Sequence, residues 1–154
     1  MHFWPWIYTR GITLALDFLG MTFEELFEIL MQVMPRLDGK RIVSKVTLDQ
    51  TIADWMAPLL PGEKRKLWAQ PSMYGSPEKQ SVGGAVVSFM LRPCAFLGLV
   101  VFGEREGISP TFTSYQSWTG QELVYDEESS RKLVRKFLHC YGPANVDAFI
   151  DWLG

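Results

Sequence analysis

The sequence predicts an α+β, mostly helical fold: a winged helix, in which a three-helix core precedes a β-hairpin wing, followed by the first helices of a second winged-helix unit. Apolar residues recur at helical spacing in three segments between residues 22 and 97, and two strand-like segments separated by a turn follow. We therefore expect an aromatic lead-in over residues 1–21, a winged-helix domain over 22–120, and an interdomain helix with a partial second helix-turn-helix over 121–154.

The first core helix has a clear beginning and end. Thr22 and Glu25 form the pattern of a capping box, in which each side chain accepts a hydrogen bond from the other residue's backbone amide. Apolar residues at helical spacing run from Phe23 to Met34, and Pro35 then helps to end the helix. A shorter helix over Ile12–Leu19 is expected in the lead-in.

The middle of the core is shorter and more polar. Residues 42–46 predict a short strand, and residues 47–57 predict the second core helix, with Thr47 as its N-cap. Residues 58–80 contain many prolines and glycines, which predict a loop or a short helical turn around residues 63–68.

The third core helix and the hairpin come next in the chain. The helix is expected from about Ser81 to Leu97, kinked or interrupted at Pro93 because proline lacks an amide donor. β-branched and aromatic residues predict one hairpin strand over Leu99–Phe102, and alternation predicts the other over Thr111–Tyr115. Residues 103–107 begin and end with glycine and form the intervening turn.

The second unit begins with an amphipathic helix. Acidic residues stand at its start and basic residues further on, as the helix macrodipole favours. An apolar stripe runs from Leu133 to Tyr141, and Gly142-Pro143 ends the helix. Asn145 is the predicted N-cap of a last short helix over Val146–Leu153.

Composition excludes several classes of protein. Hydrophobic residues make up 47% of the 154 residues and charged residues 21%, which is typical of a globular domain. The formal net charge of −2 gives no global basic signature, so nucleic-acid binding requires a local basic face. The apolar stretch from Val82 to Phe102 carries Arg92 at its centre and Pro93 beside it, which disfavours a membrane span. No export signal is recognisable, and we expect a cytoplasmic protein without a membrane partner.

The two cysteines predict no special chemistry. Cys94 and Cys140 match no metal-binding or redox spacing. A single disulfide is one interpretation, and two buried thiols in a reducing compartment are the favoured one. His139 and Cys140 are neighbours that face different sides of a helix and cannot easily share a metal ion. We predict neither a metal site nor a cofactor.

Two stretches of the sequence resemble one known family, in the correct order. Residues 96–112, FLGLVVFGEREGISPTF, with WTG at 118–120, resemble its wing, which has a Gly-Leu-hydrophobic-x-Phe-Gly pattern, Pro-Thr-Phe and a following Trp. Residues 133–154, LVRKFLHCYGPANVDAFIDWLG, resemble its interdomain helix and second helix-turn-helix. The chain is similar to the winged-helix DNA-binding-domain proteins, typified by bacterial glycosylases that excise alkylated or crosslinked bases.

The resemblance implies tandem winged helices around a DNA channel and a place in DNA repair. The family's catalytic signature is a glutamine, one hydrophobic residue, then glutamine or aspartate, and no glutamine of this chain fits it. Family members are usually much longer. We therefore expect an N- and C-terminally truncated or split member, with the missing remainder as a candidate partner, that binds DNA without catalysing a reaction.

The candidate DNA contacts are basic side chains and one hydroxyl near a helix start, because phosphates attract cations and accept hydrogen bonds. They are Lys45, Lys64, Arg65, Lys66, Lys79, Ser81, Arg92 and Arg105. Arg105 at the tip of the predicted wing is the strongest candidate, although Glu104 and Glu106 flank it. Ordinary surface solubility is the alternative explanation for each lysine.

Two other functions stay open. A base-excision enzyme needs a carboxylate or amide that activates water near a flipped base, and Asp54, Glu104 and Glu106 are the carboxylates at hand. None lies in a recognisable constellation, so we predict no catalytic residue. A protein–protein interaction module, or an inactive remnant of a base-excision enzyme, is the other alternative, which the acidic charge balance favours.

Overall fold

The structure is a computed structural model that describes residues 10–72, 78, 80–124 and 126–153. Helices dominate it and one small antiparallel sheet accompanies them, so the predicted α+β, mostly helical class is confirmed. The chain divides into two units, one ending at Glu122 and the other beginning at Leu123. Within the described residues, no helix combines the length and the apolar character needed to cross a membrane.

The first unit carries most of the secondary structure. As far as the chain is described, its helices and strands are α1 (Arg10–Leu19), α2 (Phe23–Val33), β1 (Ile42–Val43), α3 (Lys45–Met56), α4 (Gly62–Trp68), α5 (Val82–Phe96), β2 (Val101–Phe102), β3 (Thr111–Thr113) and α6 (Tyr115–Thr119). Single 3-10 turns follow α2 and α3. The helix α6 has no counterpart among the predicted segments.

The start of α2 is the local feature that the sequence predicts best. The Thr22 hydroxyl accepts a hydrogen bond from the Glu25 amide at 3.1 Å, and the Glu25 carboxylate accepts one from the Thr22 amide at 2.8 Å. The predicted capping box is therefore confirmed. From there α2 buries Phe23, Leu26 and Leu30 completely or almost completely.

The helix α3 begins earlier than predicted. Ser44 is its N-cap, and the Ser44 hydroxyl accepts a hydrogen bond from the Thr47 amide at 3.3 Å. The Ser44 backbone has a left-handed φ of 71°, which also stops the strand after Val43. The prediction of Thr47 as the cap is wrong because serine and threonine are both good caps, and only the pairing of β1 decides where the chain turns.

The helix α5 runs without a break from Val82 to Phe96, and Ser81 is its N-cap. The Ser81 hydroxyl accepts a hydrogen bond from the Gly84 amide at 3.1 Å. The predicted interruption at Pro93 is wrong. Pro93 lies in the last turn and is buried, so tertiary packing holds the helix together despite the missing amide donor.

The sheet has β3 as its central strand, in the order β1-β3-β2 with both pairings antiparallel. Phe112 stands opposite Ile42 on one side and opposite Phe102 on the other. Both hairpin strands are shorter than predicted, since β2 begins at Val101 and β3 ends at Thr113. The pairing with β1 ties the hairpin to the segment that leads into α3.

The core of the first unit lies around α3 and α5. At Gly83 the absence of a side chain lets Trp68 of α4 pack closely against α5. A Cβ added at Gly83 overlaps the indole of Trp68, which is buried and donates a hydrogen bond from Nε1 to the Ala53 carbonyl at 3.0 Å. The helix α4 is thereby fastened to both α3 and α5. Other large, fully buried side chains are Ile12, Leu19, Phe23, Leu26, Leu30, Leu48, Ile52, Met56, Val86 and Met90.

The second unit contains α7 (Glu128–Tyr141) and α8 (Val146–Leu153). Phe137 is buried, and its ring lies 5.1 Å from that of Phe149 and 5.4 Å from that of Trp152. Asn145 caps α8 as predicted, because its Oδ1 accepts a hydrogen bond from the Ala148 amide at 2.9 Å. An aromatic cluster therefore joins the two helices.

The two cysteines differ in their surroundings. Cys94 is buried, Cys140 is exposed, and neither forms a disulfide. The prediction of two buried thiols is wrong for Cys140, because among the described side chains of the second unit only Phe137 is buried. Burial raises the pKa of the Cys94 thiol to about 12, so this thiol stays protonated at neutral pH.

Gly83→Ala is expected to lower the free energy of unfolding by roughly 1–3 kcal/mol, because the new methyl group overpacks against Trp68. Gly62→Ala is the matched control, since nothing lies within 4 Å of an added Cβ there. That variant is expected to keep its stability or to gain up to about 1 kcal/mol, because alanine restricts the unfolded chain. Denaturant titration followed by circular dichroism measures both, and equal stability of the two variants contradicts the packing role of Gly83.

Candidate functional site

A groove of about 320 Å³ opens where α3, α5 and the sheet meet. Lys45, at the start of α3, and Arg92, in the second half of α5, both line it. Two predicted DNA contacts from distant parts of the sequence thus share one surface. The walls between them are mainly apolar and include Leu48, Leu91, Val100, Phe102 and Phe112.

Lys45 is held in a polar network at one side of this groove. Its ammonium group forms an ion pair with Asp49 at 2.9 Å and also contacts the Ser88 hydroxyl. The Gln80 amide donates a second hydrogen bond to Asp49 at 3.3 Å. The Lys45 side chain is half exposed while that of Asp49 is only 2% exposed, so the cation covers the carboxylate.

Asp49 is the charged residue that sequence reasoning missed. Burial raises the pKa of its carboxyl group above the ordinary value of 3.8, and the bonds from Lys45, Ser88 and Gln80 lower that pKa only in part. The signal in the sequence is that Asp49 shares a helical face with the apolar Ile52 and lies four residues after Lys45. A carboxylate on a buried face requires a partner, and Lys45 is at the right spacing.

The Ser81 hydroxyl is occupied by contacts within the protein. Besides capping α5, it donates a hydrogen bond to the Gln50 side-chain carbonyl at 3.1 Å. The Gln50 side-chain amide in turn donates to the Asp54 carboxylate at 2.9 Å. Ser81 is thus part of a link between α3 and the start of α5, and it lies outside the lining of the groove.

Two of the predicted contacts on α4 are bonded to the ends of other helices. The Lys64 ammonium group donates to the carbonyls of Leu19 and Gly20, at the end of α1. The Arg65 guanidinium donates to the Ala57 carbonyl at 2.8 Å and to neighbouring carbonyls in the turn after α3. The last carbonyls of a helix have no partner within that helix, so these cations stabilise both helix ends.

The remaining basic residues of this region are less informative. Lys66 forms an exposed ion pair with Glu63 at 3.1 Å, one helical turn away on α4. Such exposed pairs contribute little to stability. Lys79 lies outside the described residues.

The tip of the β2–β3 hairpin places Arg105 at the surface. Arg41, which precedes β1, forms an ion pair with Glu106 at 2.6 Å. Among the described residues no ion pair involves Arg105, so its charge faces solvent beside a glutamate that is already neutralised. At the base of the hairpin the buried Thr111 hydroxyl donates to the Glu104 carbonyl at 2.6 Å, which fixes the turn.

Comparison with known proteins identifies a class of DNA-repair protein. The model of the family described as DNA glycosylase AlkZ-like matches residues 24–154, which is most of the chain. The chain therefore belongs to the AlkZ-like DNA glycosylase family, and the resemblance in the sequence is confirmed. Neither a search of curated proteins nor a search of solved structures finds a match.

Asp49→Asn tests the burial of the carboxylate through the pH dependence of stability. Because the pKa of Asp49 is raised in the folded state, its contribution to stability is present below the ordinary value of 3.8 and is lost as pH rises through the raised pKa. Asparagine has a similar shape and does not titrate. The Tm of the parent minus that of the variant is therefore expected to fall as pH rises from 3 towards 7, as measured by thermal denaturation. A difference that is the same at every pH contradicts a raised pKa.

Proposed function

We propose that the chain is a DNA-binding module within this repair family, and that the groove and the hairpin tip contact the DNA backbone. The observation that carries the proposal is the groove, which places Lys45 and Arg92 on one surface beside the exposed Phe102. Because the net charge of the chain is −2, attraction to phosphates depends on where cations are clustered locally.

We propose a winged-helix arrangement for the first unit. In support, α2, α3 and α5 follow the order of a three-helix core, β1 lies between α2 and α3, and the β2–β3 hairpin comes directly after α5. On this assignment α4 is an insertion between the second and third core helices. The division into residues 22–120 and 121–154 is supported by a boundary between units at Glu122 and Leu123.

The exposed part of α5 favours recognition of the backbone over recognition of bases. The first two turns of α5 are apolar and buried, and exposed side chains occur only in its second half, at Arg92, Ala95 and Phe96. Reading a base sequence in the major groove requires several polar side chains that reach base edges. We therefore expect binding that depends on phosphate charge and DNA shape rather than on base sequence.

We infer that this chain contributes binding rather than base excision. None of its glutamines fits the family's catalytic pattern. Two of the three carboxylates considered for catalysis are engaged elsewhere: Asp54 accepts a hydrogen bond from Gln50, and Glu106 pairs with Arg41. The buried Asp49 is covered by Lys45.

An interaction module is the second candidate function. The hairpin exposes Phe102 at 69% and Ile108 at 96%, and exposed apolar surface favours protein contacts. If the chain binds no DNA, the exposed Phe102 and Ile108 favour this second function.

Arg92→Gln and Arg105→Glu are each expected to weaken binding to duplex DNA. Loss of one phosphate contact lowers the slope of log affinity against log salt concentration by about 0.9, so Arg92→Gln is expected to show that change. Arg36→Gln, which neutralises an exposed arginine outside the groove, is the control and is expected to keep the parent's slope. Fluorescence anisotropy with a labelled duplex, between about 50 and 200 mM salt, measures all four proteins.

The outcomes separate the parts of the proposal. A salt slope of zero for the parent chain removes DNA binding altogether. Equal affinity of the parent and Arg105→Glu removes the hairpin tip from the interface, and an unchanged slope for Arg92→Gln removes the groove.

A further inference from the structure

The helix α7 carries a row of cations that are not among the DNA contacts proposed for the groove and the hairpin tip. Arg131, Lys132, Arg135 and Lys136 lie within one and a half turns, and all four side chains are exposed. At 3.6 residues per turn they fall on the side of the helix opposite Phe137, the side chain that packs against α8. The helix is therefore divided lengthwise into a basic face and an apolar face.

Half of these cations are held only by weak exposed pairs. Arg131 pairs with Glu128 at 2.7 Å, and Lys132 pairs with Asp126 at 2.7 Å, with every side chain at least 45% exposed. Exposed pairs of this kind contribute little to stability, so a phosphate can replace the carboxylate. Within the described part of the chain, Arg135 and Lys136 take part in no ion pair.

We propose that the basic face of α7 is a second DNA-binding site, which contacts the phosphates of the duplex backbone. The inference rests on the proposed DNA-binding function, but it assigns a DNA contact to the second unit, where the sequence alone predicts none. Residues four apart on a helix are separated by about 6 Å along its axis, so Arg131 with Arg135, and Lys132 with Lys136, form two parallel rows. Rows of cations suit a repeating chain of anions better than they suit one small anion.

A DNA partner fits this face better than a membrane surface does. A helix that lies in a membrane interface buries a continuous apolar face in the lipid. On α7 that face is partly taken by the contacts of Phe137 with Phe149 and Trp152. The cations, by contrast, are exposed to any polyanion.

The test uses charge changes of both signs on α7 in the full chain. The double variant Arg135→Gln/Lys136→Gln is expected to lower the salt slope of duplex binding by about 1.8, at 0.9 for each lost phosphate contact. Arg36→Gln/Lys40→Gln makes the same charge change on exposed residues of the first unit and is expected to keep the parent's slope. Circular dichroism checks that every variant keeps the parent's helix content.

The opposite change is made on the same helix. Glu128→Gln releases Arg131 from its ion pair, and it is expected to tighten DNA binding by up to about fivefold at low salt. Glu28→Gln on α2 is its control, because it removes one exposed negative charge from the first unit. If Glu128→Gln tightens DNA binding no more than Glu28→Gln does, the result contradicts a DNA-binding site on α7.

The outcomes distinguish this inference from the proposed function. If the α7 double variant keeps the parent's slope while Arg92→Gln lowers it, the α7 site is overturned and the groove stands. If the α7 variant lowers the slope and Arg92→Gln does not, the α7 site stands and the groove is overturned. Binding to phosphatidylserine vesicles that depends on Arg135 and Lys136, with unchanged DNA binding, overturns the inference in favour of a lipid partner. No DNA binding by the parent overturns both.

Discussion

The burial of α5 is the constraint on which the rest of the first unit depends. Its first two turns are apolar and enclosed, and the missing side chain at Gly83 lets the indole of Trp68 pack directly against the helix. A helix buried in this way has its exposed polar side chain, that of Arg92, near its end. Within the first unit, cations that act on a polyanion are therefore expected at Arg92, at the start of α3 and on the hairpin, and the groove is where α5, α3 and the sheet meet.

The chain has no excess of positive charge, so what matters is where its cations lie. Cations on α4 satisfy the carbonyls at the ends of two helices, Lys45 covers the buried Asp49, and Arg41 neutralises Glu106 at the hairpin tip. The side chains of Arg92, Arg105 and the four cations of α7 are exposed to solvent. An acidic protein can in this way keep local basic surfaces, because interactions between exposed charges are screened over about 10 Å at moderate salt.

Features set by neighbours in the chain could be predicted from the sequence, and features set by tertiary contacts could not. The capping box of α2 and the Asn145 cap of α8 involve residues three apart, so pattern alone finds them. The N-cap of α3 depends on where β1 leaves β3, and the unbroken helix at Pro93 depends on packing from other elements. Asp49 could not be placed from the sequence because a carboxylate is usually a surface residue. Only the structure shows that Lys45 covers it. The first-unit cations were predicted by residue type, but only the structure separates those that bond to helix ends from those that line the groove.

The contrast between the two cysteines gives the molecule a single chemical handle. The Cys94 thiol is enclosed and stays protonated, so it is inert to alkylating reagents in the folded state. Cys140 is exposed one helical turn beyond Lys136. A maleimide dye added to the unmodified chain therefore attaches to α7, where it reports on the surroundings of that helix without any engineered substitution.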